Sequence, residues 1–294
     1  MKWDFEKEAI LYKPDVIIAH SYRHMHTTKA LEIAERIGCK VFLVTHAPFG
    51  DDSQRSFLAT RFVRFYDRFV GPRTINKFDK IITITKWEVP YLIKIGADRR
   101  RIEYIPNGIP EEFFNVKPGK EENKILFLGR ISPVKDIETL IRAMQRIKNK
   151  EIKLEIVGPA EKEYKKELDE LINKIGLKRR IEFKPAIYDI KEKIKKIDSA
   201  KVFVLPSKRE GMPQSLVEAM ARGKIVIASD SLGSAELIDD KKNGFLFEMG
   251  DSDELAKDID GALKGGNTQI RKNAMRSVEH FAWNRIIKKI ESIL

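Results

Sequence analysis

The sequence lacks the features that mark disulfide-bonded, membrane-spanning and secreted proteins. Its 294 residues contain one cysteine, Cys39, so the chain cannot form an internal disulfide or a cysteine-rich metal cluster. No segment approaches the roughly 18 consecutive apolar residues that a membrane-spanning helix requires. The opening segment MKWDFEKEAILYKPD carries scattered charges and does not resemble a secretory signal. We therefore expect a soluble cytoplasmic protein of two domains.

Acidic residues are too few to balance the basic ones. The formal net charge is +12, and residues 54–101 alone hold twelve Lys or Arg against four Asp or Glu. A basic surface attracts polyanions, which makes nucleic-acid binding one alternative. No recognition helix or aromatic stacking motif accompanies this charge, so we expect no nucleic-acid partner.

Short β-branched runs alternate with longer segments of helical periodicity. This pattern predicts an α/β fold in which parallel sheets are buried between helix layers. Two prolines and an Asn-Gly pair in residues 104–114 interrupt both periodicities and indicate a domain boundary. We place a first domain at residues 1–108, a second at 109–280 and a C-terminal helix at 281–294. The predicted strands are residues 15–19, 40–44, 80–85, 124–129, 153–158, 180–183, 201–206 and 225–229.

The segment REGMPQSLVEAMARG, residues 209–223, predicts a helix that starts at a ligand-binding edge. Pro213 suits the first turn of this helix and Gly223 the position after its last turn. Because the helix follows a predicted strand, its free N–H groups would lie at the carboxyl edge of a parallel sheet and favour a phosphate. Glu210 and Glu218 could then bind different hydroxyl groups of one extended ligand, such as a nucleotide sugar. The alternative is that both are solvated surface residues.

A second predicted turn supplies positive charge. The segment LGRISPVKDIETLIRAM ends a strand at Gly129 and opens a helix near Asp136, which places Arg130 and Lys135 between them. Two cations in such a turn can neutralise a diphosphate. A basic loop taken alone is more often only solvated.

Together these segments resemble the retaining glycosyltransferases of family four, the glycosyl transferases group 1. That family has the GT-B architecture of two Rossmann-like domains. The resemblance runs from about residue 14 to the end, and five motifs occur in the family's order. They are YIPNGI (104–109), GRISPVKDIETLIRA (129–143), the pair Glu210 and Glu218 with seven residues between, SDSLGSAELI (229–238) and NGFLF (243–247).

The resemblance implies a role for each candidate residue. Arg130 and Lys135, next to Gly129, would hold the donor diphosphate. Glu218 would bind the ribose hydroxyls, and Glu210 would bind the transferred sugar. The other implied contacts are the backbones of Gly211 and Met212 to the sugar, the helix start at Pro213, Ser215 and Leu216 to the diphosphate, Ile187 in the base-binding loop, and His46 of the first domain to the donor sugar.

The implied reaction is hexosyltransferase-like. A sugar would move from a nucleotide-diphosphate sugar to an acceptor with retained anomeric configuration, without a cofactor, a required metal or a protein nucleophile. Stabilisation of the leaving diphosphate would supply most of the catalysis. Asp136, Ile225 and Leu232 depart from the usual Gly, Pro and Gly of the family. Residues 183–187 replace its usual Phe-x-Gly segment beside the nucleobase, so UDP, GDP and ADP donors stay open.

The first domain is expected to be incomplete. Members of this family usually begin with further βα units before the segment that matches residues 14–21, so residues 15–19 would form an apolar edge strand. A fragment, a split enzyme with a complementing chain, or a homodimer would each explain this, and we expect poor acceptor binding by this chain alone. The acceptor could be lipid-linked or a polysaccharide. The alternative function is a non-catalytic nucleotide-sugar-binding or split-enzyme subunit.

Residues 54–70 are predicted to form a helix with two functions open. Leu58, Phe62, Phe65, Tyr66 and Phe69 share one helical face, and three arginines lie on an adjoining face. Such a helix can lie on an anionic membrane and place the protein at its inner face. We favour the alternative of a core helix with a solvated basic edge.

Two further clusters have simpler interpretations. His20, His24 and His26 have no nearby carboxylate or cysteine to complete a ligand set, so we expect no metal there and place them in a loop. In the C-terminal helix, apolar residues recur at helical spacing and predict core packing. They are Trp283, Ile286, Ile287 and Ile290.

Overall fold

The computed structural model describes residues 5–49, 56–115 and 120–294. It divides the chain into two compact units. The N-terminal unit comprises Met1–Asn107 together with Lys288–Leu294, and the C-terminal unit comprises Gly108–Ile287. The division falls inside the predicted Asn-Gly boundary, while the last helix contributes residues to both units.

The N-terminal unit contains a four-stranded parallel sheet in the order β1-β2-β3-β4. The strands are β1 Val16–His20, β2 Lys40–Val44, β3 Lys80–Thr83 and β4 Ile102–Tyr104. The helices are α1 Phe5–Tyr12, α2 Met25–Ile37, α3 Phe57–Phe65, α4 Gly71–Thr74 and α5 Glu88–Lys94, with a π-helical turn at Tyr66–Val70 between α3 and α4.

The C-terminal unit contains a six-stranded parallel sheet in the order β10-β9-β8-β5-β6-β7. Its strands are β5 Lys124–Leu128, β6 Lys153–Val157, β7 Ile181–Lys184, β8 Val202–Leu205, β9 Ile225–Ser229 and β10 Phe245–Phe247. The helices are α6 Ile137–Arg146, α7 Lys162–Lys174, α8 Ile190–Asp198, α9 Gln214–Ala221, α10 Leu232–Leu237, α11 Ser252–Leu263, α12 Thr268–Val278 and α13 Trp283–Glu291.

The strand order of this second sheet reverses between β5 and β8. Strands β5, β6 and β7 follow one another to one side, and β8, β9 and β10 follow one another to the other. Every residue of β5, β8 and β9 is buried, as expected for strands covered on both faces by helices. In such sheets ligands bind in the crevice where the order reverses, outside the carboxyl ends of the strands.

The predicted helix after β8 is present with a small shift. Helix α9 begins at Gln214, and Pro213 is the capping residue before it rather than part of its first turn. The helix ends at Ala221, and Gly223 follows with φ +63°, a left-handed conformation that suits glycine.

The core-helix prediction for residues 54–70 is wrong about which face is buried; residues 54 and 55 lie outside the described residues. The exposed fractions of Leu58, Phe62, Phe65 and Phe69 range from 45 to 77%. Tyr66 alone of the predicted stripe packs against the core. Within the three described ranges, no helix has both the length and the apolar character needed to cross a bilayer.

The prediction of core packing along the last helix is also wrong in part. Of its four apolar residues only Ile286 is buried, while Trp283 and Ile287 are 39% and 46% exposed. Ile290 is half-buried. Of these four side chains, helix α13 therefore buries one fully.

Candidate functional site

The candidate site lies at the reversal point of the C-terminal sheet. The loop after β5 and the loop after β8 leave adjacent strands at the same edge, because β5 and β8 are paired in parallel. A backbone hydrogen bond joins the two loops, since the N–H of Lys208 donates to the carbonyl of Val134 at 2.9 Å. Lys135 and Glu210, which are 75 positions apart in the sequence, are thereby brought together.

Lys135 and Glu210 form an ion pair across these two loops. Lys135 Nζ donates to Glu210 Oε1 at 2.5 Å, and the two side chains are only 19% and 10% exposed. Partial burial strengthens such a pair relative to one in bulk water. Lys135, the predicted diphosphate-binding cation, is thus paired with Glu210, the predicted sugar-binding carboxylate.

Arg130 lies in the same loop as Lys135 and differs from it in having no ion-pair partner. It follows Gly129 at the end of β5, is exposed, and forms no salt bridge with any residue of the described ranges. A second cation is therefore available at this edge of the sheet for an anionic ligand.

Asp136 occupies a backbone position that suits glycine, the residue that the resemblance implied here. Its φ of +47° is left-handed, a conformation that Asp tolerates better than most other side chains. The carboxylate accepts from Thr139 Oγ1 at 2.8 Å and lies 3.3 Å from Lys208 Nζ. The departure from glycine is thus accommodated locally and leaves the turn carrying Lys135 intact.

The N-terminus of α9 opens beside the loop that carries Glu210, Gly211 and Met212. The N–H groups of Leu216 and Val217 donate to the carbonyl of Pro213 at 3.1 and 3.2 Å. The N–H groups of Gln214 and Ser215 precede them and have no acceptor within the helix, as in the first turn of any helix. The positive end of the helix dipole adds to their attraction for an anion. Ser215 is thus the better placed of the two predicted backbone donors, because Leu216 is already engaged.

Glu218 lies on the second turn of α9 and is buried rather than solvated. It is 5% exposed, and its Oε1 accepts from Lys193 Nζ of α8 at 2.6 Å. Its Oε2 is buried and has no hydrogen-bond partner among the described residues. Burial raises the pKa of Glu218, and the Lys193 ammonium opposes that rise. A buried acceptor without a donor is costly, so this oxygen is suited to accept from a ligand hydroxyl.

Two glycines allow the loops around the site to approach each other closely. A Cβ on Gly233, at the start of α10, would lie 2.2 Å from the carbonyl oxygen of Gly211 and 2.8 Å from that of Glu210. A Cβ on Gly158, after β6, would lie 1.9 Å from the carbonyl oxygen of Gly129. The backbone positions of Gly129, Glu210 and Gly211 therefore depend on glycine at these two neighbouring positions.

His46 belongs to the N-terminal unit, and its role toward the donor stays a prediction. It follows β2, and its Nε2 lies 2.8 Å from His20 Nδ1 with the rings stacked at 5.1 Å between centroids. Desolvation and the neighbouring His20 both lower the pKa of His46. The residue and Ala47 adopt left-handed φ values of +58° and +50°, which cost energy for side chains other than glycine.

Glu88 holds the loop that carries His46. Its fully buried carboxylate accepts from Thr45 Oγ1, from the N–H of Ala47 at 2.7 Å and from the N–H groups of Ile84 and Thr85 at 2.9 and 3.1 Å. Burial raises the pKa of Glu88, and these hydrogen bonds oppose the rise. The carboxylate of Glu88 joins the ends of β2 and β3 and fixes the strained loop.

The site contacts of Lys193 and Glu88 were not predicted from the sequence. Lys193 belongs to a lysine-rich segment in which spacing does not distinguish a site residue from a solvated one. Glu88 stands in the amphipathic segment WEVPYLIK, where an isolated acid at a buried position was the available signal. Ile187, which was predicted, lies half-buried in the loop between β7 and α8 and packs against the core of its unit.

The sheet and the site together define a class of protein. A doubly wound parallel sheet carries two cations, a helix N-terminus and a buried carboxylate at its reversal point, which is the arrangement of an α/β protein that binds a phosphate-containing ligand. Residues 108–277 match the family model of glycosyl transferases group 1, and residues 2–113 match that of glycosyltransferase family 4. The chain belongs to the glycosyl transferases group 1 family.

Curated relatives are similar over most of this chain but are longer than it. An uncharacterised glycosyltransferase of Haemophilus influenzae is 28% identical over 81% of this chain and 67% of its own length. The D-inositol 3-phosphate glycosyltransferase of Nocardia farcinica is 27% identical over 74% of this chain and 52% of its own length. The chain thus spans between about half and two thirds of these two proteins.

A solved structure shows the same fold. The crystal structure of Anabaena HepE in complex with UDP and glucose superposes on the chain with a TM-score of 0.80 and 22% identity. The superposition covers 98% of this chain and 80% of HepE. The predicted α/β class with two parallel-sheet domains of GT-B architecture is thereby confirmed.

Proposed function

We propose that the chain transfers a sugar from a nucleotide-diphosphate sugar to an acceptor with retention of anomeric configuration. The observation that carries this proposal is the ion pair of Lys135 and Glu210 beside the N-terminus of α9, together with the unsatisfied Oε2 of Glu218. These groups match a ligand that has an anionic middle and hydroxyl groups on both sides. HepE, which was crystallised with UDP and glucose, supports the choice of ligand class.

Binding of the donor would exchange the partner of Lys135. In the structure the Lys135 ammonium neutralises Glu210. A diphosphate at the N-terminus of α9 would offer Lys135 a stronger anionic partner and would release the Glu210 carboxylate to accept from sugar hydroxyls. The ion pair would therefore neutralise both side chains before the donor binds. Afterwards Lys135 would bind the diphosphate and Glu210 the sugar.

Catalysis would rest on stabilisation of the leaving diphosphate. As the bond between the sugar and the diphosphate breaks, negative charge grows on the phosphate oxygen, where Arg130, Lys135 and the N–H of Ser215 would be placed to stabilise it. Typical losses on removing one such donor are about 100- to 1000-fold in rate. No protein nucleophile and no metal ion is required by this scheme, and analysis of the anomeric configuration of the product by NMR tests the retention.

On the nucleotide side, Glu218 would bind the ribose through the oxygen that lacks a partner. Lys193 holds the other oxygen at 2.6 Å and keeps the carboxylate oriented. We expect Glu218→Ala to weaken binding of the nucleoside diphosphate about tenfold or more, as loss of a charged hydrogen bond does. Glu218→Gln retains the size of the side chain and should weaken binding by less.

Calorimetric titration with UDP, GDP and ADP sugars tests these assignments and identifies the base. We expect Lys135→Gln to reduce donor affinity at least tenfold because a charge-assisted hydrogen bond to phosphate is lost. Lys208→Gln is the matched control, since this lysine lies in the same region but pairs with Asp136 and should change affinity less than threefold. Equal losses for the two variants would remove Lys135 from the diphosphate site.

A non-catalytic nucleotide-sugar-binding subunit is the less favoured alternative. The family and the named relatives are glycosyltransferases, which supports an enzyme. The alternative predicts donor binding without donor hydrolysis or sugar transfer. A radiolabelled-donor assay that shows neither reaction would favour it.

A further inference from the structure

Helix α3 and the following π-helical turn present an apolar and cationic surface that no described part of the chain covers. Its large apolar side chains are 45 to 77% exposed. Their charged neighbours are also on the outside of the helix. We call this surface the aromatic–arginine face; it consists of Phe57, Leu58, Phe62, Phe65 and Phe69 with Arg61, Arg64 and Arg68.

The orientation of this helix is fixed by contacts on its opposite side. Tyr66 packs against the core of the N-terminal unit and meets the ring of Tyr22 edge-on at 5.7 Å. Asp67 accepts two hydrogen bonds from Arg23, at 2.8 and 2.5 Å. Because these contacts hold the inner side, the helix cannot turn its phenylalanines toward the core without breaking them.

The three charged residues of the aromatic–arginine face are all arginines. Asp67 is the one acidic residue between Ser56 and Thr74, and it is neutralised on the inner side by Arg23. Arginine and aromatic side chains are interleaved, with Arg61 5.7 Å from the ring centroid of Phe57 and Arg68 5.9 Å from that of Phe69. A partner must therefore supply both an apolar layer and a dense negative charge.

We propose that the aromatic–arginine face docks on the surface of a lipid bilayer that contains anionic headgroups. A bilayer interface provides acyl chains for Phe62, Phe65 and their neighbours and phosphates for the arginines within one turn of the same helix. Nucleic acid offers phosphate but no apolar layer of this size. A second copy of the chain would bring like charges together across a symmetric contact.

The inference goes beyond the proposed sugar transfer and is tested without an activity assay. The measurement is co-sedimentation of the full chain with vesicles of phosphatidylcholine, with or without about a third of phosphatidylglycerol. We expect binding to the anionic vesicles, at least tenfold weaker binding to pure phosphatidylcholine, and a decrease as salt is raised. Equal binding to both vesicles, or to neither, would overturn the proposal.

Two sets of variants separate the apolar from the charged contribution. Phe62→Ser with Phe65→Ser should weaken binding at least tenfold, while Leu11→Ser with Tyr12→Ser, also exposed but on α1, should leave it within twofold. Gln at Arg61, Arg64 and Arg68 should weaken binding at least tenfold, while Gln at the exposed Lys162, Lys166 and Lys272 removes the same charge and should weaken it by less than threefold. Equal losses in the matched sets would contradict a localised face.

Other occupants give distinguishable results. Light scattering of the chain without lipid should show no dimer that the Phe62 and Phe65 substitutions dissociate. Single-stranded RNA should not compete with the vesicles at equal phosphate concentration. A dimer that the double variant lacks would identify a second copy of the chain, and not the bilayer, as the partner of this face. Full competition by RNA would identify nucleic acid as the partner. Because every substituted side chain is exposed, the variants should keep the thermal midpoint of the unchanged protein.

Discussion

At the scale of single residues, two buried carboxylates differ in how fully their oxygens are hydrogen-bonded. Glu88 accepts hydrogen bonds from the loops after β2 and β3 and is saturated. Glu218 has one oxygen paired with Lys193 and one without a partner. The saturated carboxylate is suited to hold a loop, and the unsaturated one is suited to bind a ligand.

The structural importance of Glu88 can be measured directly. Glu88→Gln places an amide N–H₂ group among donors, so at least one buried N–H would lose its acceptor, and we expect a loss of about 1 to 3 kcal/mol in the free energy of unfolding. Glu103→Gln is the control, because Glu103 pairs with Lys80 near the surface and should cost about 0.5 kcal/mol or less. Urea denaturation gives both values, and comparable losses would show that Glu88 does not carry the loop.

The turn and the helix start at the candidate site could be predicted from the sequence, but the burial of Glu218 could not. The turn with Arg130 and Lys135 and the helix start near Ser215 follow from strand ends and from Pro and Gly positions, which are local signals. Whether Glu218 is solvated or buried depends on α8, which approaches it from a distant part of the chain. Spacing in one helix carries no information about that neighbour.

At the scale of elements, long periodic patterns predicted the strands and helices well. Very short strands were missed, and the face that an amphipathic helix buries was not predicted. The eight predicted strands are present within about two residues, whereas β4 and β10 were missed. Each of these has three residues, too few to show a period of two. For α3 the periodicity predicted the helix correctly but could not tell whether its apolar stripe faces the core or the outside.

The loops at the site depend on how closely helix α10 approaches them. Gly233→Ala would place a Cβ 2.2 Å from the Gly211 carbonyl oxygen, so backbone must move. We expect a loss of about 1 to 3 kcal/mol in unfolding free energy and at least tenfold weaker donor binding, because the loop of Glu210 shifts. Gly261→Ala in α11, where the added Cβ meets nothing within 4 Å, should instead stabilise by up to about 1 kcal/mol.

Both glycine variants can be compared by thermal unfolding and donor titration. Unchanged donor affinity in Gly233→Ala, with stability reduced, would show that the loop of Glu210 tolerates displacement. A destabilised Gly261→Ala would show that α11 is less open to solvent than its surroundings indicate.

Helix α11 carries a pH-sensitive carboxyl group. Burial, followed by the nearby charges of Glu254 and Asp240, raises the pKa of Asp258 to about 6. The stability that the protonated group contributes is fully present below the unfolded pKa of about 3.8 and is lost as pH rises through about 6. We expect the free energy of unfolding of Asp258→Asn to match that of the unchanged protein near pH 4. At pH 7 it should be larger by about 1 kcal/mol, a value reduced for the partial exposure of the side chain.

This prediction is checked by urea denaturation between pH 4 and pH 8. The unchanged protein measured at the same pH values is the reference for each point. An Asp258→Asn protein whose advantage does not grow with pH would contradict the raised pKa.

At the scale of the whole molecule, two α/β units have separate hydrophobic cores. The larger core belongs to the C-terminal unit, and its sheet places the candidate donor site at the reversal point between β5 and β8. A large rigid core beneath the site is what a preorganised arrangement of charges needs. The N-terminal unit contributes the aromatic–arginine face and the loop of His46. The proposed functions are thus assigned to particular units of the chain.

Binding of a diphosphate between Lys135, Arg130 and the N-terminus of α9 is the proposal on which the assigned function rests. Its most direct test is a crystal structure of the chain with the nucleoside diphosphate that titration shows to bind best. We predict a phosphate oxygen about 3 Å from Lys135 Nζ and from the N–H of Ser215, with the Lys135 and Glu210 ion pair opened. A diphosphate bound elsewhere, with that ion pair intact, would show that these groups do not form the donor site.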